Sequence, residues 1–135
     1  MMHENQRSGS ALRRRQLWLT VGWLLVTLVA YLSLSPTRIQ LPVAHGDKFE
    51  HILAYAVLMS WFASLYAASA QRMLFAIVFV LFGISLEFTQ GWTGYGTFDV
   101  ADMVADAIGV AAGWLLSPPR IPHYLHLIEK ILRFR

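Results

Sequence analysis

Residues 98–116 read FDVADMVADAIGVAAGWLL, an apolar stretch that carries three carboxylates. Asp99, Asp102 and Asp106 recur at intervals of three and four residues, so in a helix they lie on one face. Small residues recur every fourth position of the same stretch: Ala101, Ala105, Gly109 and Gly113. The pattern predicts a closely packed helix, because small side chains let transmembrane backbones approach each other. Ionisable groups in such a segment are costly, and they indicate a functional site.

The composition indicates a membrane protein with one domain. The chain has 135 residues, of which 56% are hydrophobic and 14% charged, whereas about 25% is typical of soluble domains. The absence of cysteine excludes disulfides, thiolate metal sites and a cysteine nucleophile. The net charge is +3, but the basic residues flank apolar runs and do not alternate with aromatic residues on a polar face. We therefore expect no nucleic acid partner.

The sequence contains four apolar runs, at residues 17–34, 49–68, 73–90 and 100–116. Their lengths of 17 to 20 residues are close to the ~20 residues that a helix needs to cross a bilayer. Pro118 and Pro119 follow the fourth run and end it. The predicted fold is all-α, an integral membrane four-helix bundle with a short C-terminal amphipathic helix. Its parts are a cytoplasmic basic N-terminus (1–16), the four-span membrane domain (17–116) and a cytoplasmic interfacial tail (117–135).

The basic residues predict the orientation of these spans. Nine would lie on one side of the membrane: Arg7, Arg13, Arg14, Arg15, Arg72, Arg120, Lys130, Arg133 and Arg135. Arg38 and Lys48 would lie on the other side. The positive-inside rule then places both termini in the cytoplasm of a multi-pass protein. The alternative, a cleaved signal peptide at the first span, is disfavoured because the apolar run is long and no A-x-A-like site follows it.

The tail after the fourth span has the pattern of an amphipathic helix. Ile121, Leu125, Ile128 and Leu132 recur every three or four residues, with basic residues near the end. This predicts a helix on the anionic inner leaflet. A short, frayed basic tail is the alternative.

Six of the eight acidic residues fall at the outer ends of the predicted spans: Asp47, Glu50, Glu87, Asp99, Asp102 and Asp106. Helical spacing places Asp47, His51 and Tyr55 on one face of the second span, and it pairs Glu87 with Gln90 on the third. We predict one polar site that consists of Asp47, Lys48, His51, Tyr55, Glu87, Gln90, Asp99, Asp102 and Asp106.

Simpler roles remain open for several of these residues. Asp47 and Asp99 could cap helix N-termini, and Glu50 could be a solvated acid at the interface. His51 could hydrogen-bond a neighbouring helix, and Tyr55 could belong to an aromatic belt. Lys48 could extend to the interface or pair with an acid.

A second ridge of small residues lies on the second span: Ala56, Ser60, Ser64 and Ala68. We predict that the second and fourth spans pack through their two ridges, which would bring the polar stripes together. Homo-oligomerisation through either ridge is the alternative.

Three polar motifs, in order and at matching spacings over residues 33–116, resemble those of the VanZ-like family of small bacterial membrane proteins: Asp47-Lys48-x-x-His51-x-x-x-Tyr55, Glu87-x-x-Gln90 and Phe98-Asp99-x-x-Asp102-x-x-x-Asp106-x-x-Gly109-x-x-x-Gly113. The resemblance implies a polytopic protein of the plasma membrane, and the family's namesake confers low-level resistance to the glycopeptide teicoplanin. Family members often have Asn at the position of Asp106 and Arg shortly before that of Asp99. The stretch 94–97 has no Arg here, so this site is more acidic than the family pattern.

Four functions are consistent with an outward-facing acidic site. The first is binding of a cell-envelope ligand, a lipid or a glycopeptide, with a cationic or hydroxyl-rich group favoured over a bare phosphate. The second is an enzyme with a His/carboxylate cluster, although no H-E-x-x-H or G-x-S-x-G motif is present. The others are a proton-coupled transporter and a structural accessory protein. No cofactor is expected; if a divalent metal bound, the candidate ligands would be His51, Asp47, Glu87 and Asp102.

Overall fold

The computed structural model describes residues 12–37 and 41–133, and within them it contains five helices and no strand. The helices are α1 (Arg15–Leu34), α2 (Gly46–Leu65), α3 (Ser69–Thr93), α4 (Val100–Leu115) and α5 (Tyr124–Arg133). The all-α prediction is confirmed. The predictions for Arg7, Arg38 and Arg135 fall on residues outside the described part of the chain.

Two of the helices are long and apolar enough to cross a membrane. These are α1, with 20 residues and a mean hydropathy of 2.0, and α3, with 25 residues and a mean hydropathy of 1.9. At 1.5 Å per residue they are about 30 Å and 37 Å long. In contrast, α4 has 16 residues and covers only about 24 Å, and α2 begins with charged residues.

The helices run antiparallel in sequence order, which gives the bundle two different ends. At one end, the Arg15 guanidinium donates to the Leu65 carbonyl at 2.7 Å and so joins the start of α1 to the end of α2. At the other end, Gln90 Nε2 donates to the Ser33 carbonyl at 2.9 Å and joins the end of α3 to the end of α1. We call the first the basic end and the second, where α2 and α4 begin, the acidic end.

Helix α2 makes its most extensive contact with α4. Two glycines of α4 lie at this contact, and the two backbones approach closely because glycine has no side chain. A Cβ at Gly109 would lie 2.5 Å from the Ile52 carbonyl oxygen, and one at Gly113 would overlap the Ala56 carbonyl oxygen. The Ser60 hydroxyl donates to the Leu116 carbonyl at 2.9 Å where α4 ends. The close approach fixes the register of the two helices and therefore of their polar residues.

Two boundary predictions and one packing prediction are wrong. Helix α2 ends at Leu65, so Ala68 does not belong to the packing ridge but is exposed and precedes α3. Arg72 lies inside α3, is buried, and donates from Nε to the Tyr66 carbonyl. Ala101 is exposed and stays outside the interface of α4 with α2. Hydropathy locates apolar runs, whereas helices begin and end at their caps, and this is why the boundaries differ.

The C-terminal helix docks on the bundle instead of lying free. Leu125 is fully buried against Trp18 and Leu65, and Ile128 packs beside them. The Glu129 carboxylate accepts three hydrogen bonds from the start of α1, from the backbone N–H groups of Arg13 (3.1 Å) and Arg14 (2.9 Å) and from Trp18 Nε1 (2.8 Å). The tail is helical and amphipathic as predicted. Leu125 and Ile128 of its apolar face contact protein, whereas Leu132 is exposed.

Candidate functional site

Lys48, in the first turn of α2, is surrounded by three carboxylates. Its ammonium donates to Asp47 at 2.9 Å, to Asp99 at 2.7 Å, and to Asp102. The hydrogen bond from Lys48 lowers the pKa of Asp99, which precedes α4. Lys48 is therefore a fixed internal counter-ion.

One turn further into the bundle, His51 pairs with Asp106. His51 Nδ1 lies 2.7 Å from Asp106 Oδ1, and Asp106 is 1% exposed. When Asp106 is ionised, its carboxylate can only accept, and Nδ1 then carries the proton in this pair. The other ring nitrogen, Nε2, lies 3.7 Å from Asp102 Oδ2. Asp102 thus stands between the ammonium of Lys48 and the imidazole.

Glu87, from α3, reaches the same region, and only one of its two carboxylate oxygens has a hydrogen-bond partner among the described residues. It is 1% exposed, and its Oε2 accepts from the Asp99 backbone N–H at 3.2 Å. Its Oε1 has no hydrogen-bond partner among residues 12–37 and 41–133. One potential ligand atom each of Glu87, His51 and Asp102 lies within 4.8 Å of the other two. The side chain of Asp47 is not a member of this group; it is nearly half exposed and bound to Lys48.

Two further predicted site residues, Tyr55 and Gln90, are also buried polar groups with an unused atom. Tyr55 is 2% exposed, and its hydroxyl lacks a partner within the described residues. Gln90 is 2% exposed, and its side-chain carbonyl is likewise unpaired in that part of the chain. Buried polar atoms are rarely left unpaired, so these positions call for an explanation.

The alternative roles are resolved differently for each acid. Asp99 does cap α4, because its Oδ1 accepts from the Ala101 backbone N–H at 2.8 Å while Oδ2 binds Lys48. Asp47 is not a cap, since the N-cap of α2 is His45. Glu50 lies apart from the cluster and accepts from the Leu41 backbone N–H at 2.8 Å.

Sequence reasoning missed Gly83, which gives Asp106 its space. A Cβ at Gly83 would lie 2.5 Å from Asp106 Oδ2. Gly83 precedes Glu87 by four residues and therefore shares its helix face. The position of Gly83, four residues before the acid Glu87, is the signal in the sequence from which this contact could have been predicted.

Comparison with known proteins gives a family but no described activity. The sequence pattern of the family described as VanZ/LLP1 matches residues 6–121. An uncharacterized protein of Schizosaccharomyces pombe, C11E3.10, is 30% identical over 124 residues, which cover 90% of this chain and 72% of the yeast protein. No solved structure matches.

Proposed function

The chain belongs to the VanZ/LLP1 family, and we propose that it is a multi-pass membrane protein whose acidic end binds a lipid headgroup at the extracytoplasmic face of the plasma membrane. The observation that carries this proposal is the unbalanced acid cluster. Its innermost members, Glu87, Asp102 and Asp106, are buried between α3 and α4, and the outer faces of the surrounding helices are apolar.

The distribution of side chains supports a lipid environment for all four long helices. Each exposes large apolar residues along its length, among them Leu24, Tyr31, Leu53, Val57, Leu74, Ile77, Leu81, Val104, Ile108 and Leu115. The buried positions include Glu87, Gln90, Asp102 and Asp106. Apolar outside with polar inside is expected where lipid replaces water as the surrounding medium. We therefore propose that α2 and α4 cross the membrane together with α1 and α3.

The charges support an outward-facing acidic end. Of the basic residues in the described part of the chain, only Lys48 lies at that end; Arg13, Arg14, Arg15, Arg72, Arg120, Lys130 and Arg133 lie at the basic end. Under the positive-inside rule the basic end faces the cytoplasm, and both termini lie there.

The charge balance favours a particular ligand chemistry. The cluster holds five carboxylates (Asp47, Glu87, Asp99, Asp102 and Asp106) against one lysine and one histidine. With all five carboxylates ionised and His51 protonated, three negative charges stay uncompensated (5 − 2), and such a site repels a bare phosphate and attracts an amine or a hydroxyl-rich headgroup. A relative in a yeast favours a lipid over a ligand related to peptidoglycan, because yeast membranes contain lipids whereas yeast has no peptidoglycan.

Lipid retention tests the proposal. The purified protein is exchanged from detergent into phosphatidylcholine nanodiscs that contain a small fraction of phosphatidylethanolamine, a diglycosyl lipid or phosphatidic acid, and the lipids kept after re-extraction are quantified. We expect retention of an amine- or sugar-headed lipid over phosphatidic acid, and a loss of about tenfold in Asp102→Asn, equivalent to 1.4 kcal/mol. Glu50→Gln, which changes an acid of α2 that lies outside the cluster, is the control and keeps wild-type retention.

Two results would contradict the proposal. Equal retention of all lipids by the wild type, or unchanged selectivity in Asp102→Asn, would mean that the cluster does not select a headgroup. Failure of Asp102→Asn to accumulate, together with a nonselective wild type, would leave the cluster with only a structural role in joining the helices.

A further inference from the structure

The innermost part of the acid cluster has the donor set of a metal site. His51 comes from α2, Glu87 from α3 and Asp102 from α4, so three different helices each contribute one ligand. The two carboxylates are 1% and 6% exposed. Three ligands held by three packed helices form a rigid arrangement of the kind that metal binding requires.

Hydrogen bonds already occupy one atom of each of these three residues and leave the other atom free. Nδ1 of His51 binds Asp106, Oδ1 of Asp102 binds Lys48, and Oε2 of Glu87 accepts from a backbone N–H. The free atoms are His51 Nε2, Asp102 Oδ2 and Glu87 Oε1. A carboxylate bound to the distal nitrogen is the usual way in which proteins orient a metal-ligating histidine.

The unpaired oxygen of Glu87 points independently to a missing ligand. It belongs to a side chain that is 99% buried, yet the described residues offer it no hydrogen-bond donor. A buried carboxylate oxygen without a partner is costly, and a cation beside it removes that cost.

The spacing suits a metal ion with short bonds. Nitrogen and oxygen ligands at ~2.0–2.1 Å in a tetrahedral site lie about 3.4 Å from one another. His51 Nε2 and Asp102 Oδ2 are 3.7 Å apart, and the three residues offer atoms within 4.8 Å. Side-chain movements of about 1 Å are enough to close the site around an ion of this size.

We propose that His51, Glu87 and Asp102 bind a divalent transition-metal ion, Zn²⁺ or Mn²⁺, that Asp106 orients the imidazole, and that a fourth position stays open to a ligand. The imidazole favours these ions over Ca²⁺ and Mg²⁺, which prefer oxygen ligands. With neutral His51 and all five carboxylates ionised, the cluster and Lys48 carry four negative charges (5 − 1), and the ion reduces them to two (4 − 2). The site does not depend on the lipid proposed above.

Metal titration of the detergent-purified protein tests this site in the absence of lipid. The protein is stripped with a chelator, and binding of Zn²⁺, Mn²⁺ and Ca²⁺ is followed by calorimetry and by elemental analysis after desalting. We expect about one Zn²⁺ or Mn²⁺ per chain and much weaker Ca²⁺ binding. Co²⁺ gives an independent readout, because a tetrahedral site with an imidazole ligand has visible absorption bands.

His51→Asn is the decisive variant, since its side-chain amide can still donate to Asp106 while Nε2 is lost. Affinity should fall by at least about 100-fold, more than the ~10–100-fold expected for Asp106→Asn, which changes only the orienting partner. Glu50→Gln should bind like the wild type.

The proposal is overturned if the wild type retains no more metal than a chelator-treated blank, whatever the variants do. It is also overturned if His51→Asn and Glu87→Gln bind Zn²⁺ like the wild type. A positive metal titration with a negative lipid assay would contradict only the lipid proposal, and the reverse result would contradict only the metal site.

Discussion

Replacing Glu129 by alanine should detach α5 from the start of α1. The carboxylate is 6% exposed and accepts all three of its hydrogen bonds from α1 and the residues just before it. Hydrogen bonds to a charged group each contribute about 1.5–3 kcal/mol when intact. In the variant, the two backbone N–H groups belong to exposed residues and regain water, but Trp18 is 7% exposed, so its indole N–H loses its partner in a buried place.

The expected cost is about 3 kcal/mol, most of it from the indole N–H and the lost charge. At 1.4 kcal/mol per factor of ten, the ratio of docked to undocked α5 falls by about 100-fold. Glu129→Gln provides a graded comparison, because one amide oxygen can still accept the bonds from Trp18 and Arg14, both of which now go to Oε1. We expect a cost of about 1 kcal/mol, or roughly fivefold, for that variant.

Limited trypsin digestion reports the docking equilibrium. The bond after Lys130 lies inside α5, and a detached helix of ten residues is too short to stay folded by itself. Its cleavage rate therefore follows the undocked fraction when docking is fast, with the order Glu129→Ala, then Glu129→Gln, then wild type. Glu50→Ala, at the acidic end, should be cleaved like the wild type. Wild-type cleavage of Glu129→Ala would refute the reasoning and show that Leu125 and its apolar neighbours suffice to hold α5.

The same contact predicts a pH dependence. Burial alone would raise the pKa of Glu129, but its hydrogen bonds from Arg14, Trp18 and Arg13 outweigh burial and lower it. Because the docked pKa is below the value of about 4.3 for a free glutamate, the contact stabilises docking above that pH and loses this contribution as the pH falls through the docked value. The hydrogen-exchange protection factors of α5, which are corrected for the intrinsic pH dependence of amide exchange, should therefore decrease on acidification below about pH 4, and Glu129→Gln should not show that decrease.

Three further substitutions have defined outcomes. Gly113→Val should prevent the close approach of α2 and α4 and yield aggregated protein in size-exclusion chromatography, while Ala111→Val on the exposed side of α4 stays monodisperse. Gly83→Ala should displace Asp106, because the new Cβ would lie 2.5 Å from Asp106 Oδ2. We expect Zn²⁺ binding to weaken by about 10–100-fold with little loss of folded protein. Unchanged affinity would show that Asp106 does not orient the site. Lys48→Met should lower the free energy of unfolding at neutral pH by about 2 kcal/mol, because the aspartates lose their counter-ion. Acidification to about pH 4 should restore part of this stability as the aspartates become protonated. Equal stability of the variant at both pH values would contradict this.

The sequence predicts much of the fold because hydropathy and helical periodicity are local properties. The four apolar runs correspond to α1 to α4, and the regular spacing of small residues anticipates the contact at Gly109 and Gly113. The helix ends escape prediction, since Ser69 and Arg72 begin α3 with polar residues that a search for apolar runs leaves out. The docking of Glu129 escapes it for another reason: its three partners are more than 100 residues away in sequence.

The candidate site is predictable in its membership but not in its pairing. Each polar stripe is visible on its own helix, yet the choice between Lys48 as an interfacial residue and as an internal counter-ion depends on the register of α2 against α4. That register is set by backbone contact at Gly109, and the space at Gly83 lets α3 approach Asp106 of α4. Neither contact is encoded in the periodicity of a single helix. Local patterns identify which side chains are buried, and contacts between helices decide which atoms they meet.

The supply of hydrogen-bond donors decreases from the rim of the cluster towards its interior. Asp99, at the rim, accepts hydrogen bonds from the ammonium of Lys48 and from a backbone N–H. Among the described residues, Asp106 has His51 as its only donor, and Oε1 of Glu87 has no donor. In a lipid environment no solvent compensates from outside the bundle. A purely structural cluster would be expected to place its donors where burial is deepest, because unpaired groups are most costly there. The opposite gradient observed here is expected of a site in which something other than the protein completes the coordination of Glu87.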